Sequence, residues 1–296
     1  MNIIHHLRAI LALTLIAVNT LILAIPLYLL TLIKLAIRRE GAQILLSRWL
    51  VHIAELWMSV NNTVIALISR PRFHVEGTES LRYDDWYLAT SNHQSWADIL
   101  IMQKVFNRRV PILKFFLKQE LMKVPVLGHA WWALDFPFMK RHTREEIEKN
   151  PELKGKDLET TRKACEKFAY FPTSVMNFFE GTRYTPAKHD QQQSPYKYLL
   201  KPKAGGTAFT LGAMGGKLKT LLDVTIIYPK DAPRSLNAFL GGAIGDIQVV
   251  VQVRDIPAWT AEGDYENDPA FRARFQQWIT ELWAEKDALL QARLDS

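Results

Sequence analysis

The run Ser91-Asn92-His93-Gln94-Ser95-Trp96-Ala97-Asp98 sets a histidine and an aspartate five residues apart, where the apolar stretch Trp86 to Thr90 gives way to the helical pattern Ile99 to Phe106. A histidine in such a strand-to-helix turn can take a proton from an alcohol when a carboxylate fixes its tautomer and stabilises the imidazolium that forms. On one regular helix, side chains five apart diverge by about 140°, so His93 must precede the helix for Asp98 to reach it. Ser95 and Asp98 fit that requirement, because Ser-x-x-Asp can close a capping box with Ser95 as N-cap. The same box is a sufficient structural reason for Asp98, and hydrogen-bonded burial is one for His93, so the spacing alone leaves both readings open. A second polar group, Asn177-Phe178-Phe179-Glu180-Gly181-Thr182-Arg183, ends another apolar stretch. There Gly181 lets a ligand approach the backbone closely, and Arg183 can hold a phosphate bidentately. Lys140-Arg141, closing the aromatic run Asp135 to Met139, offers further cations for the same anion, although each basic group also suits an ordinary surface position.

The elements that must position these residues are legible as pattern. Apolar runs at Trp86–Thr90, Val110–Phe115, Thr173–Phe179, Leu221–Tyr228 and Ile247–Val253 read as strands alternating with helical segments. That alternation predicts an α/β domain, a mixed sheet flanked by helices, over residues 71–296. Residues 1–70 read as N-terminal membrane-anchoring helices. Ala9 to Ile33 is uncharged, Leu/Ile-rich and long enough to cross a ~30 Å hydrocarbon layer, and it exceeds the roughly 7–15 residue core of a cleaved signal peptide. Arg8 precedes it and Lys34, Arg38, Arg39 and Arg48 follow, which places the following domain in the cytoplasm at the cell inner membrane. Pro26 leaves room for a kinked or re-entrant course. In Ile44–Ile68, an apolar face of Leu45, Trp49, Ile53, Leu56, Val60, Val64 and Leu67 with Arg48, His52 and Glu55 between its members marks an amphipathic helix, packed on the domain or lying in the bilayer interface. His142–Thr161, rich in charges of both signs, reads as a solvated connection to a helix around Cys165. Asp268-Pro269 opens a last helix, whose Phe271, Phe275, Trp278, Ile279, Leu282, Trp283 and Leu290 form a face that covers the domain core.

Composition bounds the function. With 296 residues, 48% of them hydrophobic, the chain can bury a large core, and a net charge of +7 favours polyanions such as anionic lipid headgroups or nucleic acid. Cys165 is the single cysteine, so no intrachain disulfide or cysteine-based metal site forms.

NHQSWAD together with FFEGTR, in this order and at this separation, resembles the motif set of the lysophospholipid and glycerol-phosphate acyltransferase family. The family's NHxxxxD box falls on Asn92, His93 and Asp98, its phenylalanine-rich block ending in arginine on Phe136 to Arg141, and its FPEGTR block on Phe178 to Arg183. Phe179 stands where the family has proline, and Val224-Thr225-Ile226 where it has Val-Pro-Ile or Val-Pro-Val. In these details the chain looks more like the lysocardiolipin and lysophosphatidylinositol branch.

The resemblance implies a membrane-bound O-acyltransferase in which His93 acts as general base oriented by Asp98. It implies that Arg183, with Arg141, holds the acceptor phosphate, while Glu180, Gly181 and Thr182 shape the acceptor site. The amides at the helix start or at Gly181 would supply the oxyanion donors. The implied partners are membrane phospholipids, a lysophospholipid acceptor such as 1-acyl-glycerol 3-phosphate, and an acyl thioester donor, either acyl-CoA or acyl carrier protein. No nucleic acid, metal or bound cofactor is expected. Two other readings are a hydrolase using Ser95 as nucleophile with His93 as base, and a membrane-tethered binding or regulatory protein working through its basic surface.

Overall fold

A computed structural model describes residues 1–37, 39–139, 168 and 171–295. Helices α1 (Ile3–Ala36) and α2 (Glu40–Ile68) lead into β1 (Arg72–Glu76), β2 (Tyr87–Ser91) and α3 (Ala97–Phe106). There follow β3 (Leu113–Phe115), β4 (Leu117–Lys118), α4 (Leu127–Ala133) and β5 (Phe138–Met139). After residue 171 come β6 (Ser174–Met176), α5 (Pro186–Gln192), α6 (Ala204–Met214), β7 (Thr220–Ile227), α7 (Leu236–Leu240), β8 (Asp246–Asp255) and α8 (Pro269–Leu294). The six-stranded sheet runs β1-β8-β7-β2-β6-β3. Strands β7, β2, β6 and β3 are mutually parallel, and β8 joins β7 antiparallel, so the sheet is mixed. Every expected strand is present, two of them shorter than their apolar runs: β3 begins at Leu113 rather than Val110, and β6 ends at Met176, where Asn177 already leaves the sheet.

Alternation along the central strands separates two cores. Tyr87 and Ala89 of β2, with Leu222, Val224 and Ile226 of β7, face a core shared with α3, α7 and the inner residues of α1. Leu88, Leu221 and Ile227 face the other, closed by α6 and by Phe275, Ile279, Trp283 and Leu290 of α8. Both faces are covered, which is why these strands read as continuous apolar runs. Asp268 caps α8 by accepting the amides of Ala270 and Phe271, with Pro269 in the first turn. Lys140-Arg141, the connection His142–Thr161 and Cys165 lie outside the described residues.

Helices α1 and α2 are both long and apolar enough to cross a membrane by length and composition. They form an antiparallel pair locked by Asn19, which donates to Asn61 Oδ1 at 2.8 Å, and by Trp57, whose indole donates to Thr20 Oγ1 at 2.9 Å. Both ends of α1 dock on the domain. Near its start, His5 Nδ1 lies 2.8 Å from the Gly241 carbonyl, and Ala9 and Ala12 enter the first core; a Cβ on Gly241 would sit 2.5 Å from the His5 carbonyl oxygen, which is why this position is glycine. Near its end, Tyr28 donates to the Val126 carbonyl and Lys34 pairs with Asp135 at 3.2 Å.

The packing face of α2 differs from the one its apolar spacing suggests. Leu45, Trp49, Leu56, Val60 and Leu67 point outward, whereas Ala54, Glu55, Met58 and Asn61 are buried. The stripe of large apolar residues therefore lacks a protein partner among the described residues and continues the apolar outer face of α1, where Leu7, Ile10, Leu21, Ile25 and Leu32 are exposed.

Candidate active site

The carboxyl ends of β2, β6 and β7 meet at one point of the sheet, the usual position for ligands in open parallel sheets. His93 follows β2 directly. Its Nδ1 lies 2.8 Å from Asp98 Oδ2, and the Asp98 side chain, fully buried, also accepts the amides of Gln94 at 2.6 Å and Ser95 at 2.8 Å. On its other oxygen Asp98 accepts the Tyr228 hydroxyl at 2.5 Å, from the residue just past β7. The carboxylate thus fixes the imidazole so that Nε2 is the nitrogen left to meet a substrate. The imidazole stacks on Phe178, with ring centroids 3.9 Å apart and planes inclined by 13°.

The turn itself is held from both sides. The His93 amide donates to Glu180 Oε1 at 2.8 Å, and the His93 carbonyl accepts the Tyr184 amide at 2.6 Å. Asn92 forms a two-way clasp with β7, donating to the Ile226 carbonyl and accepting the Ile226 amide, both at 2.8 Å. Glu180 is fully buried and gives its second oxygen to the Leu200 amide at 3.1 Å. Burial pushes its carboxyl up to about 7, against the lowering effect of the two amide donors; Asp98 raises it further and Lys286 opposes. Tyr228 is pushed well above the usual phenol range by burial and by the Asp98 charge, so it remains a donor.

Gly181 adopts a left-handed conformation, φ +65°, that suits glycine and turns the chain sharply after Glu180. Thr182 accepts from Lys188 Nζ at 2.6 Å, and the exposed Arg183 guanidinium lies 4.8 Å from the centre of the Trp96 ring beside the His93 turn. His93, Asp98, Glu180, Gly181, Thr182 and Arg183 therefore share one site. Arg141 lies outside the described residues.

The expected capping box is present: Ser95 Oγ accepts the Ala97 amide at 3.1 Å and Asp98 accepts the Ser95 amide at 2.8 Å, with α3 assigned from Ala97. One local expectation changes. The amides of Gln94 and Ser95 are committed to Asp98 and that of Gly181 to the Phe178 carbonyl, which removes these groups as oxyanion donors. Ser95, 1% exposed with its hydroxyl engaged by Ala97, is not presented as a nucleophile.

An apolar cavity of about 520 Å³ opens at His93, Trp96 and Phe178 and runs beneath α3 towards Ala24 and Leu27 of α1 and Met58 of α2. One acid lies in its wall. Glu55 is 3% exposed, accepts the Tyr83 hydroxyl at 2.5 Å and lies 3.2 Å from His52 Nδ1. Its place among polar residues of an amphipathic pattern gave no sign of this. Pattern reading also missed Tyr228 and Asp223, lone polar groups in the apolar run Leu221–Tyr228, and Lys286, which sits between Glu285 and Asp287 and so reads as part of a charged surface.

The chain matches known proteins over this same region. A family model described as Acyltransferase covers residues 72–228. The 1-acyl-sn-glycerol-3-phosphate acyltransferase gamma of Mus musculus is 28% identical over 186 residues, 60% of this chain and 44% of that protein. The 2-acyl-1-lysophosphatidylinositol acyltransferase of Saccharomyces cerevisiae is 24% identical over 250 residues, 69% of this chain and 60% of that one. The crystal structure of a 1-acyl-sn-glycerophosphate acyltransferase from Thermotoga maritima aligns with a TM-score of 0.46 at 19% identity, over 91% of this chain and 98% of that one. The chain spans less than half the length of the Mus musculus relative. The family match reaches from β1 through Tyr228, more than half of the chain, and encloses both polar blocks: the chain belongs to the acyltransferase family.

Proposed function

We propose that this chain transfers a fatty acyl group from a thioester, acyl-CoA or acyl carrier protein, to a free hydroxyl of a lysophospholipid such as 1-acyl-glycerol 3-phosphate. The observation that carries this reading is the His93–Asp98 pair at the mouth of an apolar cavity of about 520 Å³. That volume is within the ~300–1,000 Å³ of small-molecule sites, and its lining suits a hydrocarbon chain. With Nδ1 held by Asp98, His93 Nε2 takes the proton of the glycerol hydroxyl as its oxygen attacks the thioester carbonyl. The tetrahedral intermediate collapses with cleavage of the C–S bond, and the imidazolium returns its proton to the leaving thiolate. Arg183, exposed beside Trp96, holds the acceptor phosphate, with Arg141 as its expected partner. Glu180 acts on His93 through the backbone, not on the substrate.

The helical pair has a matching role. Because both ends of α1 dock on one domain, α1 and α2 lie in a single leaflet with the outward apolar faces in the hydrocarbon, so the cavity beneath α3 opens towards lipid. The reading takes this leaflet to be the cytoplasmic one of the cell inner membrane, where the basic residues Lys34, Arg39 and Arg48 meet anionic headgroups. Single-cysteine labels at positions 3 and 37, with Cys165 replaced by serine, test it in sealed vesicles: both react from the same side, whereas a crossing helix separates them.

The decisive experiment is transfer of labelled oleate from oleoyl-CoA, or from oleoyl acyl carrier protein, to a panel of lysophospholipids by purified wild type and by His93→Ala in lipid vesicles. Transfer that the variant abolishes supports the reading and ranks the acceptors. Absence of transfer by wild type with either donor overturns it.

A further inference from the structure

The C-terminal helix α8 lies outside the segment shared with the acyltransferase family model, yet it reaches the reacting centre. Lys286 on α8 is fully buried. Its ammonium donates to the Val224 carbonyl at 2.5 Å and to Thr225 Oγ1 at 3.1 Å, and it pairs with Asp223 Oδ1 at 2.5 Å. These three residues precede Ile226, the residue clasped by Asn92 beside His93. One turn earlier on α8, Trp283 donates to the Leu200 carbonyl at 3.1 Å, while the Leu200 amide holds Glu180. One residue later, Asp287 accepts the amides of Lys197 and Tyr198 in the same loop.

We propose that Lys286 is a positioning residue for acyl transfer, fixing the end of β7 that clasps the Asn92–His93 turn and adding a buried positive charge behind the loop whose Leu200 amide holds Glu180. The inference rests on the acyl-transfer reading of the site. An ammonium with no exposure is costly to keep charged, and three oxygens on three consecutive residues of β7 are what hold it there. Thr225 is one of them, at the position where a proline would give no hydroxyl. Around Glu180 the charged and titratable groups are His93 after β2, whose amide it accepts, Asp98 on α3, Lys286 on α8 and Tyr184. Around Lys286 they are Asp223 on β7, Arg254 on β8, Glu180, and Glu285 and Asp287 on its own helix; Arg254 bridges Asp223 at 3.2 Å and Glu285 at 2.6 Å. Lys286 is thus the buried cation that favours the ionised Glu180. Once protonated, Glu180 carries a hydroxyl on one oxygen and cannot hold both the His93 and Leu200 amides equally well.

The test is the pH profile of kcat/KM for oleoyl transfer, from pH 5.5 to 9.5, for wild type, Lys286→Met and the double variant Lys286→Met/Asp223→Asn. The double variant removes the buried pair together and so avoids the cost of an orphaned carboxylate. In both variants we expect the acidic limb to move up by about one unit, which is about tenfold lower activity at pH 6.5, with recovery towards wild type at pH 9; because the base His93 also shapes that limb, the same Lys286→Met change in a Glu180→Gln background should leave it in place. A loss by the same factor at every pH, or unchanged activity throughout, overturns the positioning role while leaving acyl transfer intact. A wild type that transfers no acyl group overturns the functional reading, and the positioning role with it.

Discussion

Asp98→Asn isolates the charge beneath the histidine from its geometry. The asparagine has the shape of the aspartate but a single acceptor oxygen, which can still face the His93, Gln94 and Ser95 donors while its amide group meets the Tyr228 hydroxyl, now turned to accept. The fold should therefore survive, losing about 1–3 kcal/mol as charge-assisted hydrogen bonds become neutral ones. Catalysis loses more. When Nε2 takes a proton, the imidazolium and the fully buried Asp98 carboxylate stand 2.8 Å apart in a largely buried pair. At an effective dielectric constant of ~20 that attraction is about 6 kcal/mol, and partial compensation by the remaining donors brings the loss to roughly 3–6 kcal/mol, a fall in kcat of about 10²–10⁴. Single-turnover acyl transfer in lipid vesicles reads this directly, with thermal unfolding followed in parallel. The double variant His93→Ala/Asp98→Asn should lose no more than His93→Ala, since the two groups act as one unit. An Asp98→Asn enzyme within threefold of wild type, or losses that multiply in the double variant, would refute the dyad.

Two further outcomes follow from the site. Ala24→Trp fills part of the cavity wall on α1, and overpacking costs about 1–3 kcal/mol; the kcat/KM for an oleoyl donor should fall about tenfold relative to that for a decanoyl donor, and an unchanged ratio would mean that the chain lies elsewhere. For Glu180, the folded carboxyl at about 7 lies above its ordinary 4.5, so the native state binds the extra proton between those values and stability falls as pH rises through that window, by roughly 3 kcal/mol. In Glu180→Gln that part of the difference in urea stability between pH 4.5 and pH 8 should disappear, and a pH dependence equal to wild type would show that Glu180 is not the group responsible.

Much of this arrangement was legible from pattern. The spacing of His93 and Asp98 required the histidine to precede the helix, but only the family resemblance of the two polar blocks together singled the pair out; the strands were readable because both faces of the sheet are covered. Position along the chain and polarity alone did not reveal what lies opposite. Tyr228 looks like the last residue of an apolar run, yet its hydroxyl closes the Asp98 carboxylate. Lys286 sits among charged residues of a mixed-sign helix, yet it turns inward to β7. On α2 the pattern left two placements for the large apolar residues, on the domain or in the bilayer interface; burial follows the small and polar residues, because close helix pairing needs Ala54 and Asn61 inside and leaves Trp49 and Leu56 exposed. Periodicity reports which residues share a face. It does not report which medium that face meets.

The placement of Lys286 has a consequence for the order in which the chain becomes competent. The apolar pair α1–α2 leaves the ribosome first, whereas Lys286 emerges some 250 residues after α1 ends, roughly 12–50 s later at ~5–20 residues per second. Over the last 63 residues of that interval Asp223 is made but has no α8 partner, and the clasp on Asn92 lacks its backing. On the reading proposed above, a half-made chain thus already carries its apolar pair to lipid with an unfinished histidine turn, and acquires its chemistry only after it has acquired its address.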